Sequence, residues 1–545
     1  MKRAIFLLLV VVMFVHCKAT KQSSKSNLLV GNIEVNALPS GLQPGPFAVG
    51  VKTHFAHDAK TPFDTWGSIY KSDAYKNLLK NIEAAGDVRT VHLNIFYPSN
   101  PGTEKAGPEN IVPASIWAAK DGRLATEADY YAGNLTLFQQ SGYKPNKLGI
   151  QRQSYLDASI IEDTFPLVIM LPGFTGGHYA WNRAAAYLSS HGYIVVTVTF
   201  ISDSRSVAIF EDPDSKYAKT RTAEDLLQDY QLLYAQPEPA LFGGFYRNLY
   251  GVELDPTSSD RFPDISQSKA ITGGGLKSNE MMRAMFAQRT EDLSTTIDEM
   301  RKLNLEDNFF KGRINIDNIG VMGHSLGAIT SQSALVNIPS VKTAIAFNGG
   351  VLKSWEPYGG FPDKSNNPKQ PDGVPKDIMF INGSDDDFVH MIYKELFDKW
   401  YEHAGGDKTE TIRLPGEQVW PTEDNPNPIA RNSYERAQTN KLFLIFKDEG
   451  HFSLPDYATY IPGEILKGKR VPLSRDVDSF MSSEYEQLGW IEKEGKQVYL
   501  PHHMRNYFMT TWFNWQLKGD KSQKEKQLNH PFDDSVKKIL HEWIQ

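Results

Sequence analysis

Between Phe165 and Phe446 the chain keeps returning to short, wholly apolar runs separated by stretches of helical character, and this alternation constrains its fold more than any other feature. Phe165 to Leu171 (FPLVIML) holds no polar residue and stops at Pro172-Gly173. A strand with one wet face alternates apolar and polar residues, so a continuous apolar run implies a strand buried on both faces. Trp181 to Ser190 reads as a helix closed near Gly192, and Tyr193 to Phe200 (YIVVTVTF) reads as a second buried strand, which makes one βαβ unit. The pattern resumes with a helix around Glu291 to Leu303, a strand at Ile319 to Met322 and a helix from Ser325 to about Asn337. Strands at Thr343 to Phe347, Asp377 to Ile381 and Leu442 to Phe446 follow. Strands alternating with helices predict an α/β fold built on a mostly parallel, doubly wound sheet. Upstream, Phe47 to Phe55 and Arg89 to Tyr97 (RTVHLNIFY) follow the period of two expected of half-buried antiparallel strands opening that sheet. Residues 98 to 160 read as irregular, and there is no internal repeat.

The regularity breaks between about Ser202 and Asn279, where Pro237, Pro239, Gly243-Gly244, Pro256, Pro263 and Gly273 to Gly275 punctuate the chain. Residues 202–279 are read as a cap inserted into a single domain spanning 45–545. Ahead of it, Lys2-Arg3 and the apolar run Ala4 to Val15 have the form of an export signal, too short to span a bilayer. Residues 18–44 are polar and read as a tether. The only cysteine, Cys17, directly follows the apolar run, so no intrachain disulfide can form. Its position resembles the lipidated first residue of a bacterial lipoprotein, which implies membrane anchoring through Cys17; cleavage near Ala19 to Ser23, leaving no cysteine, is the other reading. The localisation expected is outside the cytoplasm: periplasmic, membrane-anchored or secreted. Net charge is -7 and the Lys521 to Lys526 stretch is short, so a nucleic-acid partner is not expected.

The chemistry centres on Gly323-His324-Ser325-Leu326-Gly327, which follows the strand IGVM and precedes the helix-compatible run AITSQSAL. A serine on a sharp strand-to-helix turn is exposed at the helix N-terminus, and glycines two residues to either side let neighbouring backbone approach. Ser325 is the expected nucleophile. Attack on a carbonyl creates an oxyanion, and fixed N–H donors aimed at it are often the largest electrostatic contribution. Leu326 N–H is one such donor, and Phe174 N–H, in the loop Pro172 to Gly177, is taken as the second. The acid is expected after a later strand and before the histidine. Asp377 to Gly383 ends in Ser384-Asp385-Asp386-Asp387, where Asp386 has the preferred spacing and Asp385 and Asp387 stay open. His451, in the loop after LFLIF, is the expected base, being downstream of both partners. His502-His503 lacks further ligands at metal-binding spacing, so zinc is disfavoured, and no cofactor is called for.

The stretches GPFAVGVKT, VHLNIFYPS, FPLVIMLPGFTGGHYAW, LSSHGYIVV, GHSLG, INGSDDDFV and EGHF resemble the platelet-activating factor acetylhydrolase and dienelactone hydrolase-like branch of the α/β-hydrolases, over roughly residues 45 to 520. The resemblance extends to bacterial polyester hydrolases, which share the PGF/YTG-type loop and the following Trp. It implies an α/β-hydrolase fold, a triad of Ser325, Asp386 and His451, and an oxyanion hole at Phe174 and Leu326. One departure stands out: the acetylhydrolases resembled carry their acid after the preceding strand, where this chain has Asn348 in IAFNGG. An amide supplies no charge, so the acid falls to the Asp385 to Asp387 cluster.

The function these residues favour is that of a serine carboxylic ester hydrolase acting on a small-molecule or lipid ester, with acetyl or lactone esters in view. A peptidase or polyester hydrolase would use the same triad. A surface binding protein that keeps the scaffold without turnover is the alternative from another class.

Overall fold

The computed structural model describes residues 45–60, 63, 73–100, 154–174, 176–200, 208–222, 225–226, 228–229, 274–351, 374–386, 425, 427–451, 454–456, 490–493, 496–528 and 540–544. Cys17, the signal and tether, Asp387 and most of the 202–279 insertion, including Phe242, Phe245, Tyr246, Leu249 and Tyr250, lie outside them.

Ten strands form one sheet among these residues. They are β1 (Ala48–Asp58), β2 (Arg89–Ser99), β3 (Tyr155–Leu156), β4 (Phe165–Leu171), β5 (Ile194–Thr199), β6 (Ile314–His324), β7 (Val341–Phe347), β8 (Asp377–Asp385), β9 (Lys441–Gly450) and, after a hairpin of β10 (Trp490–Lys493) and β11 (Lys496–Tyr499), β12 (Leu540–Ile544). The spatial order is β3-β1-β2-β5-β4-β6-β7-β8-β9-β12. β5, β4, β6, β7, β8 and β9 run parallel, while β1 and β2 pair antiparallel with each other and β2 antiparallel with β5. The mostly parallel, doubly wound α/β sheet expected from the apolar runs is present, with β3 and β12 at its two edges.

The apolar runs split by residue parity. On β7, Ala344 and Ala346 enter one core, while Ile345 and Phe347 enter the other. On β8, Ile378 and Phe380 face the first core, and Met379 and Ile381 face the second. Successive strand residues point to opposite faces, so a sheet clad on both sides needs apolar residues at every position. The first layer is closed by α3 (Gly274–Glu306), α4 (Leu326–Asn337) and α5 (Pro428–Arg436). The second is closed by α2 (Asn182–Ser190) and α6 (Leu500–Lys518), the latter through Met504, Phe508, Trp512 and Phe513. Each such side chain contributes about 1.5–3 kcal/mol when fully buried. A further helix, α1 (Asp73–Ala84), packs Tyr75, Leu78 and Ile82 against Ile209 and Phe210 in a separate small core.

One expectation changes. The helix read at Glu291 to Leu303 runs from Gly274 to Glu306, so its first turns belong to what the glycine-rich sequence suggested was insertion. Its charged residues reach inward: Arg89 on β2 makes a buried ion pair at 2.7 Å with Asp292, and His54 on β1 bonds Glu299 at 2.8 Å. Ahead of the expected start, Gln288 and Arg289 are also buried polar residues of α3, and polar positions turned inward blur the apolar periodicity by which a helix is read. α6 packs in the second core and β12 pairs antiparallel with β9, both far beyond the last apolar strand of the repeat. No helix among the described residues is long and apolar enough to cross a membrane.

Candidate active site

At the carboxyl end of β6 the chain turns sharply into α4. Ser325, at this corner, has φ 55° and ψ -117°, a conformation that side-chain-bearing residues rarely adopt. It is held there from both sides. Ser325 N–H donates to the Phe347 carbonyl at 2.9 Å, and the Ser325 carbonyl accepts from Ala328 N–H at 2.9 Å. The flanking glycines permit the bend: a Cβ on Gly323 would lie 2.1 Å from the Gly327 carbonyl oxygen, and one on Gly327 would lie 2.5 Å from that of Leu171. Ser325 remains partly exposed, and Leu326 opens the helix behind it.

Asp386 and His451 arrive from neighbouring strands. Along β8 and β9 the pairing runs Gly383↔Phe446 and then Asp385↔Gly450, so β9 carries two extra residues at the point where the strands end. Asp386 and His451 each follow the last of these pairs. The crossing is close, since a Cβ on Gly383 would lie 1.8 Å from the Glu449 carbonyl oxygen. Asp386 N–H closes the turn by donating to the Gly383 carbonyl at 3.2 Å. The outcome is a 2.6 Å hydrogen bond between His451 Nδ1 and Asp386 Oδ1, with the two side chains only 7% and 10% exposed. A carboxylate only accepts, so it selects the Nδ1–H tautomer and leaves Nε2 as the basic nitrogen. Asp385 pairs through its backbone with Gly450.

Two residues the sequence did not mark as functional hold the backbone of His451. His324, inside the Gly323 to Gly327 motif, is buried and donates from Nε2 to the His451 carbonyl at 2.7 Å, with the two imidazole centroids 4.6 Å apart. Burial, reinforced by the neighbouring His451, pushes the His324 pKa well below its ordinary 6.5. Asn348, with φ 46°, donates from Nδ2 to the same carbonyl at 2.8 Å and to that of Gly450 at 3.2 Å. Asparagine tolerates this left-handed backbone better than most side chains. The position that the sequence marked as lacking an acid is thus occupied by an amide with a structural use.

The loop after β4 lies against the elbow. A Cβ on Gly173 would sit 2.8 Å from His324 Nδ1 and 3.4 Å from Ser325 Cβ. Phe174, partly buried, packs on the first core, and Trp181 Nε1–H donates to the Leu171 carbonyl at 2.9 Å. Five residues after His451, Asp456 accepts from Arg183 and Ala184 N–H at 2.7 and 3.1 Å, capping the N-terminus of α2, and pairs with Arg505 of α6 at 3.1 Å. This anchors the chain just beyond His451. No cluster of three or more His, Cys, Asp or Glu suited to a metal ion occurs among the described residues.

The arrangement offers a serine hydroxyl on a fixed turn and an imidazole oriented by a carboxylate, with a small-residue loop lying alongside. These are the parts needed for nucleophilic attack on a carbonyl.

No protein-family model and no curated protein sequence matches the chain. Among solved structures, it is similar to a ferulic acid esterase from Streptomyces cinnamoneus at 16% identity, over 93% of this chain and 98% of that one, with a TM-score of 0.46.

Proposed function

We propose that the chain is a serine hydrolase that cleaves carboxylic esters through Ser325, His451 and Asp386. The reading rests on one observation above the rest: the 2.6 Å His451–Asp386 hydrogen bond, held through the His451 carbonyl by the residue next to a strained serine. In this mechanism His451 Nε2 takes the Ser325 proton as Oγ attacks the ester carbonyl. Leu326 N–H and Phe174 N–H receive the developing oxyanion, each such donor contributing about 3 kcal/mol. His451 then protonates the leaving alcohol, and water, deprotonated by the same imidazole, releases the acid from the acyl-enzyme. Asp386 stabilises the imidazolium throughout.

Acid placement after Gly383 favours the dienelactone and polyester types of triad over the acetylhydrolase type, and the substrates proposed are acetyl, lactone or lipid-like esters. Lys2-Arg3 with the following apolar run supports export, and Cys17 supports a lipid anchor on the exported form. The test is a fluorophosphonate label applied beside a panel of esters of increasing acyl length. Covalent labelling that maps to Ser325, with ester turnover, is expected; an unlabelled, folded protein would sink the proposal.

A further inference from the structure

We infer that Arg289 is a positioning residue for the oxyanion hole: its guanidinium grips the outer side of the loop after β4 and so fixes the direction of Phe174 N–H. The inference rests on the serine hydrolase reading of Ser325.

Arg289 lies on α3 with 1% of its surface exposed. Its two terminal nitrogens donate to successive carbonyls of the loop, Nη1–H to Pro172 at 2.9 Å and Nη2–H to Gly173 at 3.1 Å. Its flat face lies over the Phe200 ring, 4.6 Å from the centroid. The planar fork spans two acceptors at once, which a lysine ammonium, a point charge, does not reproduce.

The Gly173 carbonyl and the Phe174 N–H belong to one peptide unit. No cis peptide occurs among the described residues, and in a trans unit C=O and N–H point in opposite directions. With the carbonyl turned toward Arg289, Phe174 N–H is turned away from it. Gly173 meanwhile lies against the turn at Ser325, where a Cβ added to it would sit 3.4 Å from Ser325 Cβ. The neighbouring carbonyls are committed as well: Leu171 accepts from Trp181, and Gly173 also accepts from Gly176 N–H at 3.1 Å. Rotating the Phe174 peptide would strip a buried guanidinium of an acceptor, and hydrogen bonds to charged donors are the costlier ones to leave unmade. A cation on the carbonyl side also polarises the peptide, making its N–H a stronger donor. The Arg289 support is itself rigid, because Asp292 and Glu299 tie the same helix to β2 and β1.

The test compares wild type with Arg289→Met and Arg289→Lys in the full chain. Measured quantities are kcat and KM for a short-chain ester, the rate of inactivation by a fluorophosphonate, and Tm. Losing one oxyanion donor costs on the order of 10²–10³ in kcat. A fall of that size is expected for Arg289→Met, with KM changed little and inactivation slowed in parallel. Arg289→Lys, which keeps charge and bulk, serves if Arg289→Met fails to fold, and a kcat fall at near wild-type Tm is expected. In Arg289→Ala, guanidinium ion added below its denaturing range is expected to restore part of kcat, which a merely structural role would not allow. Wild-type kcat and inactivation rate in a folded Arg289→Lys or Arg289→Met would overturn the inference, as would a rise confined to KM. Failure of wild type to label at Ser325 would instead remove the hydrolase reading on which it stands.

Discussion

Asn348 connects the end of β8 to the loop after β9: its Oδ1 accepts from Gly383 N–H at 2.9 Å, while its Nδ2–H donates to the His451 carbonyl at 2.8 Å. One amide thus registers the segment carrying Asp386 against the segment carrying His451. A carboxylate at the same place would accept but not donate, and would face two carbonyl oxygens rather than the imidazole.

Asp386→Asn is accordingly expected to cost on the order of 10⁴ in rate while leaving the fold intact, because the imidazole loses its orienting acceptor. Adding Asn348→Asp to that variant is not expected to restore turnover. By itself Asn348→Asp is expected to destabilise by about 1–3 kcal/mol, the usual cost of leaving buried polar groups unmatched. Kinetics and urea melts of the two single variants and the double variant check both points; recovery of activity in the double variant would show that position 348 can supply the acid after all.

Ser325 trades stability for position. Its backbone, at φ 55° and ψ -117°, costs of the order of 1–3 kcal/mol for a residue with a Cβ. Ser325→Ala keeps the Cβ and is expected to abolish labelling and lower turnover on the order of 10⁶ without a stability gain. Ser325→Gly is expected to be equally inactive yet more stable by about 1 kcal/mol. Equal urea midpoints for the glycine and alanine variants would remove the claim of strain.

His324 makes stability depend on pH. Its pKa is held well below 6.5 in the folded chain by burial, and near 6.5 when unfolded. Below that value the unfolded chain binds the extra proton, so stability is expected to fall as pH drops through about 6.5 toward 5. His324→Gln, whose amide can donate to the same carbonyl, is expected to lower stability at neutral pH but to flatten this dependence. Thermal melts across the range decide the matter, with an unchanged slope counting against it.

The inserted segment is proposed to set substrate size. Its apolar and aromatic residues, Phe242, Phe245, Tyr246, Leu249 and Tyr250 among glycines and prolines, would line an apolar pocket. Each methylene buried there contributes about 0.8 kcal/mol, a few-fold preference per added carbon until the pocket fills. Replacing residues 240 to 272 with a short Gly-Ser linker stops short of α3 and is expected to flatten the chain-length profile while labelling persists. A profile that keeps its shape in a labelled variant would place selectivity elsewhere.

By itself the sequence determined the strand-and-helix alternation and the turn at Gly323 to Gly327, because both are local: side-chain parity along a strand, and glycines within two residues of a serine. It could also narrow the acid to a run of three aspartates. Which of them meets His451 is a matter of register, decided by the two extra residues that β9 carries opposite Gly383 and Asp385. That offset arises where two strands of a packed sheet end together, and no short-range pattern encodes it. The same holds for Asn348, whose sequence position told only that a charge was missing, and for Arg289, which in its helix reads like any surface arginine until a loop 116 residues earlier closes over it. Polar groups buried by distant chain acquire their roles from the acceptors they find there, and those acceptors are assembled only when the layers pack.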